Sequence, residues 1–440
     1  MTLLTFGFCS GMLSTMRVPT DLDTRLKTLM DLAVDDHDGP PERRLPPRLR
    51  HMGEGGALRP FSLRDVRLGS SNAHTSLLRV LMTNACSFNC HYCPMRRDRA
   101  MPRTLLKPGE LVRVFLAAHR RGWCEGLFVT TGIPGRPANV MDDLIQVLEL
   151  LRLKHGFRGY IHVKAVPGAE QAQLEHLTQL ASRVSLNLET PCGQTLAQIA
   201  PEKSFDTSLA SLEHIRSRVR REWDEEADGK PRDALRPNGA AGMTTQFIVG
   251  ATPDSDRAIL GRVTELYARR GVHHTHFSAF RPIRDTPLEA APETPVVRER
   301  RLYQTDYLLR RYGFASGDVV FDAEGNLPLG LDPKVASALT HPERFPVDVR
   351  TASREELVRV PGIGPATARR IVAERVGTVL RDLGDLRRLG VVTTRAAGFL
   401  AIAGRRCADV RWAEQMQFWG PDADMGRYHA VYEVSPGTFR

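Results

Sequence analysis

Six short apolar, β-prone runs punctuate the first two-thirds of this 440-residue chain, and they leave few folds open to it. They are 77–83 (LLRVLMT), 126–131 (GLFVTT), 159–165 (GYIHVKA), 183–189 (RVSLNLE), 244–250 (TTQFIVG) and 273–279 (HHTHFSA). Between them, stretches such as 108–121 (PGELVRVFLAAHRR) and 140–154 (VMDDLIQVLELLRLK) repeat apolar residues at helical spacing. Strands alternating with helices argue for a parallel α/β sheet or a partial barrel, with a partial (β/α)6 barrel of TIM type as the expected form. Such a barrel places its site at the carboxyl ends of the strands.

The cysteines fall at 9, 86, 90, 93, 124, 192 and 407, one tight cluster and four singles. That odd, uneven set is no disulfide framework and favours a metal site in a reducing compartment. Just past the first expected strand, Thr83-Asn-Ala-Cys86-Ser-Phe-Asn-Cys90-His-Tyr-Cys93 sets three thiols at CxxxCxxC spacing. Three thiolates can each bind one iron of a cubane and leave the fourth iron open. An open iron can be chelated by the amino and carboxylate groups of S-adenosylmethionine. Electron transfer then cleaves the sulfonium to methionine and a 5′-deoxyadenosyl radical. A zinc site would need a fourth ligand, and His91 sits between two of the thiols.

These residues resemble the radical S-adenosylmethionine (radical SAM) superfamily over about 75–285. The resemblance implies a [4Fe–4S] cluster on Cys86, Cys90 and Cys93, with Tyr92 against the adenine. Thr130-Thr131-Gly132 is similar to the family's Gly-Gly-Glu turn at the methionine amino group, although the Glu is missing here. Asn187 and Glu189 are similar to the ribose-hydroxyl ligands, and the turn at Gly250 resembles the glycine turn bordering the adenine. Lys164, sharing a strand face with His162, is a candidate partner for the methionine carboxylate. Cys192 is a candidate hydrogen-atom donor, a small core thiol being the alternative. His274 and His276 share a strand face but lack a third metal ligand in sequence.

From residue 346 the chain changes character. Leu357-Val-Arg-Val360-Pro361-Gly362-Ile363-Gly364-Pro-Ala-Thr-Ala368-Arg369-Arg370-Ile371 has the helix-hairpin-helix pattern, with glycines where a tight hairpin would strain a side chain. A second copy runs from Asp385 through Arg387-Arg388-Leu389-Gly390 and Arg395 to Ala396. Twelve Arg against six acidic residues leave 346–406 at about +6. The expected phosphate contacts are Gly362, Gly364, Arg369, Arg370, Arg387, Arg388, Gly390 and Arg395.

The expected organisation is a partly disordered lead-in (1–74), the barrel (75–285) and a connecting helical segment (286–345). A small all-α tandem helix-hairpin-helix domain (346–406) and a tail (407–440) follow. Together the parts resemble a family of DNA modification or repair radical SAM proteins with this carboxyl-terminal module. That resemblance implies DNA as partner, a flavodoxin or ferredoxin as reductant and a uracil-DNA-glycosylase-like partner protein. Other readings are an RNA-modifying enzyme, a glycosylase with a structural cluster, and a non-catalytic iron–sulfur redox sensor on DNA. The net charge of +10 rests on 54 Arg against 7 Lys and does not by itself specify nucleic acid. No run has the length and apolarity of a membrane span, and the apolar amino terminus lacks a basic flank, so the expected location is cytoplasmic.

Overall fold

The computed structural model describes residues 21–33, 63–67, 74–228, 242–272 and 274–408. The Pro/Gly/Arg-rich part of the lead-in and the tail aromatics Trp412, Phe418, Trp419, Tyr428 and Tyr432 lie outside the described residues. Seven strands lie side by side in chain order: β1 (Leu63–Arg67), β2 (His74–Leu81), β3 (Gly126–Thr130), β4 (Ile161–Lys164), β5 (Arg183–Ser185), β6 (Gly242–Val249) and β7 (His274–Ala279). β2 to β7 are all parallel and match the six expected runs, while β1 adds an antiparallel edge on β2. This is a curled half-barrel, one of the two forms that the alternation of strands and helices leaves open.

The two faces of the sheet differ in chemistry. Val80, Val129, Val163, Val184 and Phe247 are fully buried in the main core. Against them pack α1 (Leu22–Ala33), α2 (Pro108–Arg120), α3 (Pro137–Glu149), α4 (Gln171–Leu180), α5 (Gly193–Ile199), α6 (Phe205–Ala227) and α7 (Asp256–Arg270). The alternate residues of the same strands, Arg79, His162, Ser185, Thr244 and Gln246, line the concave face and are also buried. The strands therefore carry apolar groups toward the helices and polar groups toward the lumen.

α1 corrects the expectation that 1–74 is only a lead-in. Leu26, Leu29, Met30 and Ala33 share one helical face and join the barrel core. Arg25 pairs with Glu110 at 2.8 Å, tying α1 to α2.

An open sheet leaves unpaired edge groups, and the chain covers both edges. β1 covers β2. On the other side α8 (Val296–Arg311) runs antiparallel to β7 and meets its backbone with side chains. The Tyr303 hydroxyl accepts from the Phe277 N–H at 3.0 Å and donates to the Phe277 carbonyl at 3.1 Å. Glu299 Oε2 accepts from the Ala279 N–H at 2.7 Å.

Beyond α8, α9 (Pro333–Thr340) leads into α10 (Arg354–Arg359), α11 (Pro365–Glu374), α12 (Leu383–Arg388) and α13 (Thr393–Ala396). Leu357, Val360, Ala368, Ile371, Leu386 and Ala396 form a second core, which also takes Ala338 from α9. Val347–Asp348, Leu400–Ile402 and Arg405–Arg406 add a short three-stranded sheet to these helices, which the sequence pattern did not announce. Asp318 fastens this unit to the rest, accepting from Arg344 at 2.9 Å and forming an ion pair with Arg359 at 2.9 Å.

Tyr303→Phe keeps the ring and removes both edge bonds. It should cost about 1–3 kcal/mol of stability, read as a lowered urea midpoint with unchanged slope.

Candidate functional site

The thiols lie on the loop that leaves β2. Thr83 and Asn84 follow the strand, and their side chains hold the returning segment: Thr83 Oγ1 donates to the Thr104 carbonyl, and Asn84 bonds Pro102 and Thr104. Arg103 braces the loop from within. Its guanidinium donates to the carbonyls of Asn84, Met95, Arg96 and Arg99 at 2.6–2.9 Å. Four carbonyls of an irregular loop thereby gain a charged donor, the stronger kind of hydrogen bond.

The turn after β3 abuts the same loop. The Gly132 N–H donates to the Thr83 carbonyl at 2.7 Å, and the Ser87 N–H to the Ile133 carbonyl at 2.7 Å. A Cβ on Gly132 would stand 2.2 Å from the Ala85 carbonyl oxygen, so only glycine allows this approach. Thr130 is buried at the end of β3, and Thr131 turns its hydroxyl onto the Gly132 carbonyl.

Cys90 is buried, while Cys86 and Cys93 are half-buried. Burial pushes the Cys90 thiol up to about 11, with the Lys203 ammonium opposing the shift. Burial and the neighbouring Cys90 push Cys93 up to about 12. Thiolates are disfavoured in such surroundings without a cation, and a bound metal deprotonates a coordinating thiol outright.

Beside the thiols a chain of polar side chains crosses the carboxyl ends of β4, β5 and β6. Lys164 Nζ donates to Gln246 Oε1 at 3.4 Å, and Asn187 Nδ2 donates to the same oxygen at 3.1 Å. Asn187 also reaches Glu189 Oε2 at 3.4 Å. Lys203 donates to Glu189 Oε1 at 2.7 Å and to the Tyr92 hydroxyl at 3.1 Å. Glu189 sits at φ +66, a left-handed conformation that a non-glycine residue holds only when its surroundings impose it. Here the backbone is pinned on both sides, its N–H donating to the Gln246 carbonyl and its carbonyl accepting from Ile248. Asn187 Oδ1 is buried and without a partner, an acceptor suited to a hydroxyl donor.

These residues fit a bound [4Fe–4S] cluster with S-adenosylmethionine: one buried and two half-buried thiols, a buried orphan acceptor and a carboxylate meet at one rim. Gly250 closes that rim after β6, against Thr294, whose hydroxyl donates to the Val249 carbonyl. Cys192 caps α5, with its sulfur 3.3 Å from Thr195 Oγ1.

His162 is buried on the concave face, 3.0 Å from Ser185 Oγ and edge-on to Phe128, and burial holds its pKa well below the usual value. His274 is likewise engaged, its Nδ1 accepting from Arg310 at 3.2 Å. Among the described residues no three His, Cys, Asp or Glu side chains converge on one metal ion, whereas a cubane asks each thiolate to reach a different iron. Two residues of the site went unnoticed in sequence, Gln246 and Lys203. Neither belongs to a spaced motif that would single it out.

In the second unit, Gly362 has φ +86 and Gly390 φ +90, the corresponding turn positions of two hairpins. The hairpins dock on each other, the Val392 N–H donating to the Gly362 carbonyl at 3.0 Å and Thr367 Oγ1 to the Gly390 carbonyl at 3.3 Å. Arg369, Arg370, Arg387 and Arg388 are exposed, with Arg388 paired to Asp385. Arg395 departs from the expected phosphate role: it pairs with Asp332 at 3.1 Å and is largely buried. Gly364 also lies inward, against the Tyr312 hydroxyl. Beside it Lys334 is buried over the Tyr312 ring and donates to the Ile363 carbonyl at 2.5 Å.

A sequence model of the radical SAM superfamily matches residues 80–224, and a helix-hairpin-helix motif model matches 347–374. This chain carries a radical SAM domain. Solved structures similar to it include HydG, a maturase of the [FeFe]-hydrogenase, 17% identical with a TM-score of 0.40. That match covers 52% of this chain and 49% of HydG. Methylornithine synthase (PylB) is 13% identical over 52% of this chain and 60% of its own, with a TM-score of 0.40. A radical SAM methyltransferase from Sphaerobacter thermophilus is 15% identical over 59% and 78%, at 0.38. The matched region thus spans about half of HydG and three-fifths of PylB. No curated protein matches the chain. The radical SAM domain implies a [4Fe–4S] cluster and S-adenosylmethionine. No helix among the described residues is long and apolar enough to cross a membrane.

Gly132→Ala should force the cluster loop away from β3. Iron retained per chain should fall severalfold, with the far-ultraviolet circular dichroism of the wild type.

Proposed function

We propose that this protein is an enzyme that cleaves S-adenosylmethionine reductively and acts on a nucleotide in DNA, in modification or repair. The observation that carries the first half is the meeting of Cys86, Cys90 and Cys93 with Tyr92, Asn187 and Glu189 at one end of the sheet. When bound, the cluster and S-adenosylmethionine supply an electron and a 5′-deoxyadenosyl radical, which abstracts hydrogen from a substrate.

The chain's own residues bind and orient. The three cysteines hold the cluster, and Arg103 keeps their loop in shape. Lys164 offers a cation to the methionine carboxylate. Asn187 and Glu189 hold the ribose hydroxyls, Tyr92 lies against the adenine, and the Gly250 turn borders it. A flavodoxin or ferredoxin supplies electrons, and the uracil-DNA-glycosylase-like partner follows from the family resemblance alone.

The paired hairpins and the exposed Arg369, Arg370, Arg387 and Arg388 support the DNA half. A base stacked in a duplex is out of reach of the lumen, so the substrate is single-stranded, damaged or flipped out at a cost of a few kcal/mol. Backbone contacts at the hairpins offset that cost.

The protein assembled without oxygen should hold one cubane per chain and, with dithionite, form 5′-deoxyadenosine. Replacing all three cysteines by Ala should abolish both. No cleavage by a fully loaded protein would refute the enzymatic half. Duplex DNA should bind with an affinity that falls steeply with salt, and Arg369→Ala with Arg370→Ala should flatten that dependence. Salt-independent binding, or none at low salt, would refute the DNA half. Mass spectrometry of nucleosides from treated DNA then reads out the product.

A further inference from the structure

Of the two site residues that no spacing or motif brings to notice, Lys203 carries the charge. It lies in the turn between α5 and α6, a turn stitched to the cysteine loop. The His91 N–H donates to the Ile199 carbonyl at 2.7 Å, and the Asn89 N–H to Glu202 Oε1 at 3.1 Å. Lys203 completes the seam from inside. Its side chain is 10% exposed and that of Glu189 5%, so both charges have left water.

A buried ion pair is a poor device for stability, because desolvation cancels most of the attraction. Its geometry here is unusual in what it joins. One ammonium touches the carboxylate assigned to the ribose and the phenol assigned to the adenine, and its charge is felt at Cys90 and Cys93. Asn187 contacts the other Glu189 oxygen, so the carboxylate is held from both sides. Arg103 is a second cation whose field reaches the thiols, and its donors are given to loop carbonyls.

We propose that Lys203 is a positioning residue for S-adenosylmethionine and the buried cation that sets the cluster's reduction potential. The ammonium aims Glu189 and Tyr92 at the nucleoside. Its charge, in a low-dielectric pocket, favours the more negative reduced cluster over the oxidised one. Losing it should therefore lower the midpoint potential and weaken S-adenosylmethionine binding together. This rests on the reading of the three cysteines as cluster ligands.

The test uses the full chain, reconstituted without oxygen, as wild type, Lys203→Met, Lys203→Arg and Tyr92→Phe. Iron per chain, midpoint potential by electron paramagnetic resonance titration, and equilibrium S-adenosylmethionine affinity are measured on each. Lys203→Met should load iron, bind S-adenosylmethionine at least tenfold more weakly and shift the potential downward. Lys203→Arg should restore most of both. Tyr92→Phe removes one hydroxyl and no charge, so it should weaken binding severalfold and leave the potential alone. A loaded Lys203→Met protein with wild-type potential and affinity overturns the proposal. If Lys203→Met loads no iron, Lys203→Arg and Tyr92→Phe decide. The proposal stands if the Arg variant loads iron near the wild-type potential and the Phe variant binds more weakly at unchanged potential. It falls if Tyr92→Phe binds as the wild type does. A wild-type protein that takes up no iron refutes the ligand reading instead.

Discussion

A half-barrel has two open edges, and the rest of this structure depends on how they are closed. Unpaired N–H and C=O groups along β7 would invite another strand. Tyr303 and Glu299 answer them with side chains from α8. That helix therefore has to run along β7 from one end to the other, and its position decides where everything after it goes. Its amino-terminal turn stands at the mouth beside Ala279. Its last turn reaches His274 through Arg310, at the opposite end of the strand.

The inversion of polarity across the sheet explains how a small set of residues makes a site. Helices take the apolar face, as in any α/β protein. The concave face is left with Lys164, Asn187, Gln246 and His276, too polar to fill a core. Strain at Glu189, the close approach at Gly132 and the buried Lys203–Glu189 pair all collect at one rim. Features that cost stability gather where chemistry is expected.

The strands were legible because each is a short apolar run, and the cysteine loop because three thiols at fixed spacing have few explanations. The structure brings Tyr92, Asn187 and Glu189 to the same rim, Tyr92 from the loop after β2 and the other two from the segment just past β5, where Glu189 leaves the strand conformation and bridges to Phe247. Other parts were hidden for physical reasons. α1 carries a clear apolar stripe through Leu26, Leu29 and Met30, masked by the Pro- and Arg-rich sequence that follows. Lys203 and Gln246 are single residues whose meaning is a contact across the lumen. The pairing of Arg395 with Asp332 joins elements some sixty positions apart, which local charge counting reads as an exposed arginine.

The length of α8 sets a ruler. Its 16 residues at about 1.5 Å each separate the mouth from the Tyr312 end by roughly 24 Å. The PGIG hairpin is clasped at that far end by Tyr312, Lys334 and Asp332, not beside the thiols. A nucleic acid gripped by the hairpins and reached by the lumen of the same chain has to cover that distance along the barrel wall. At about 3.4 Å per base pair this is some seven base pairs, so on the proposed reading grip and chemistry would fall on different stretches of one strand.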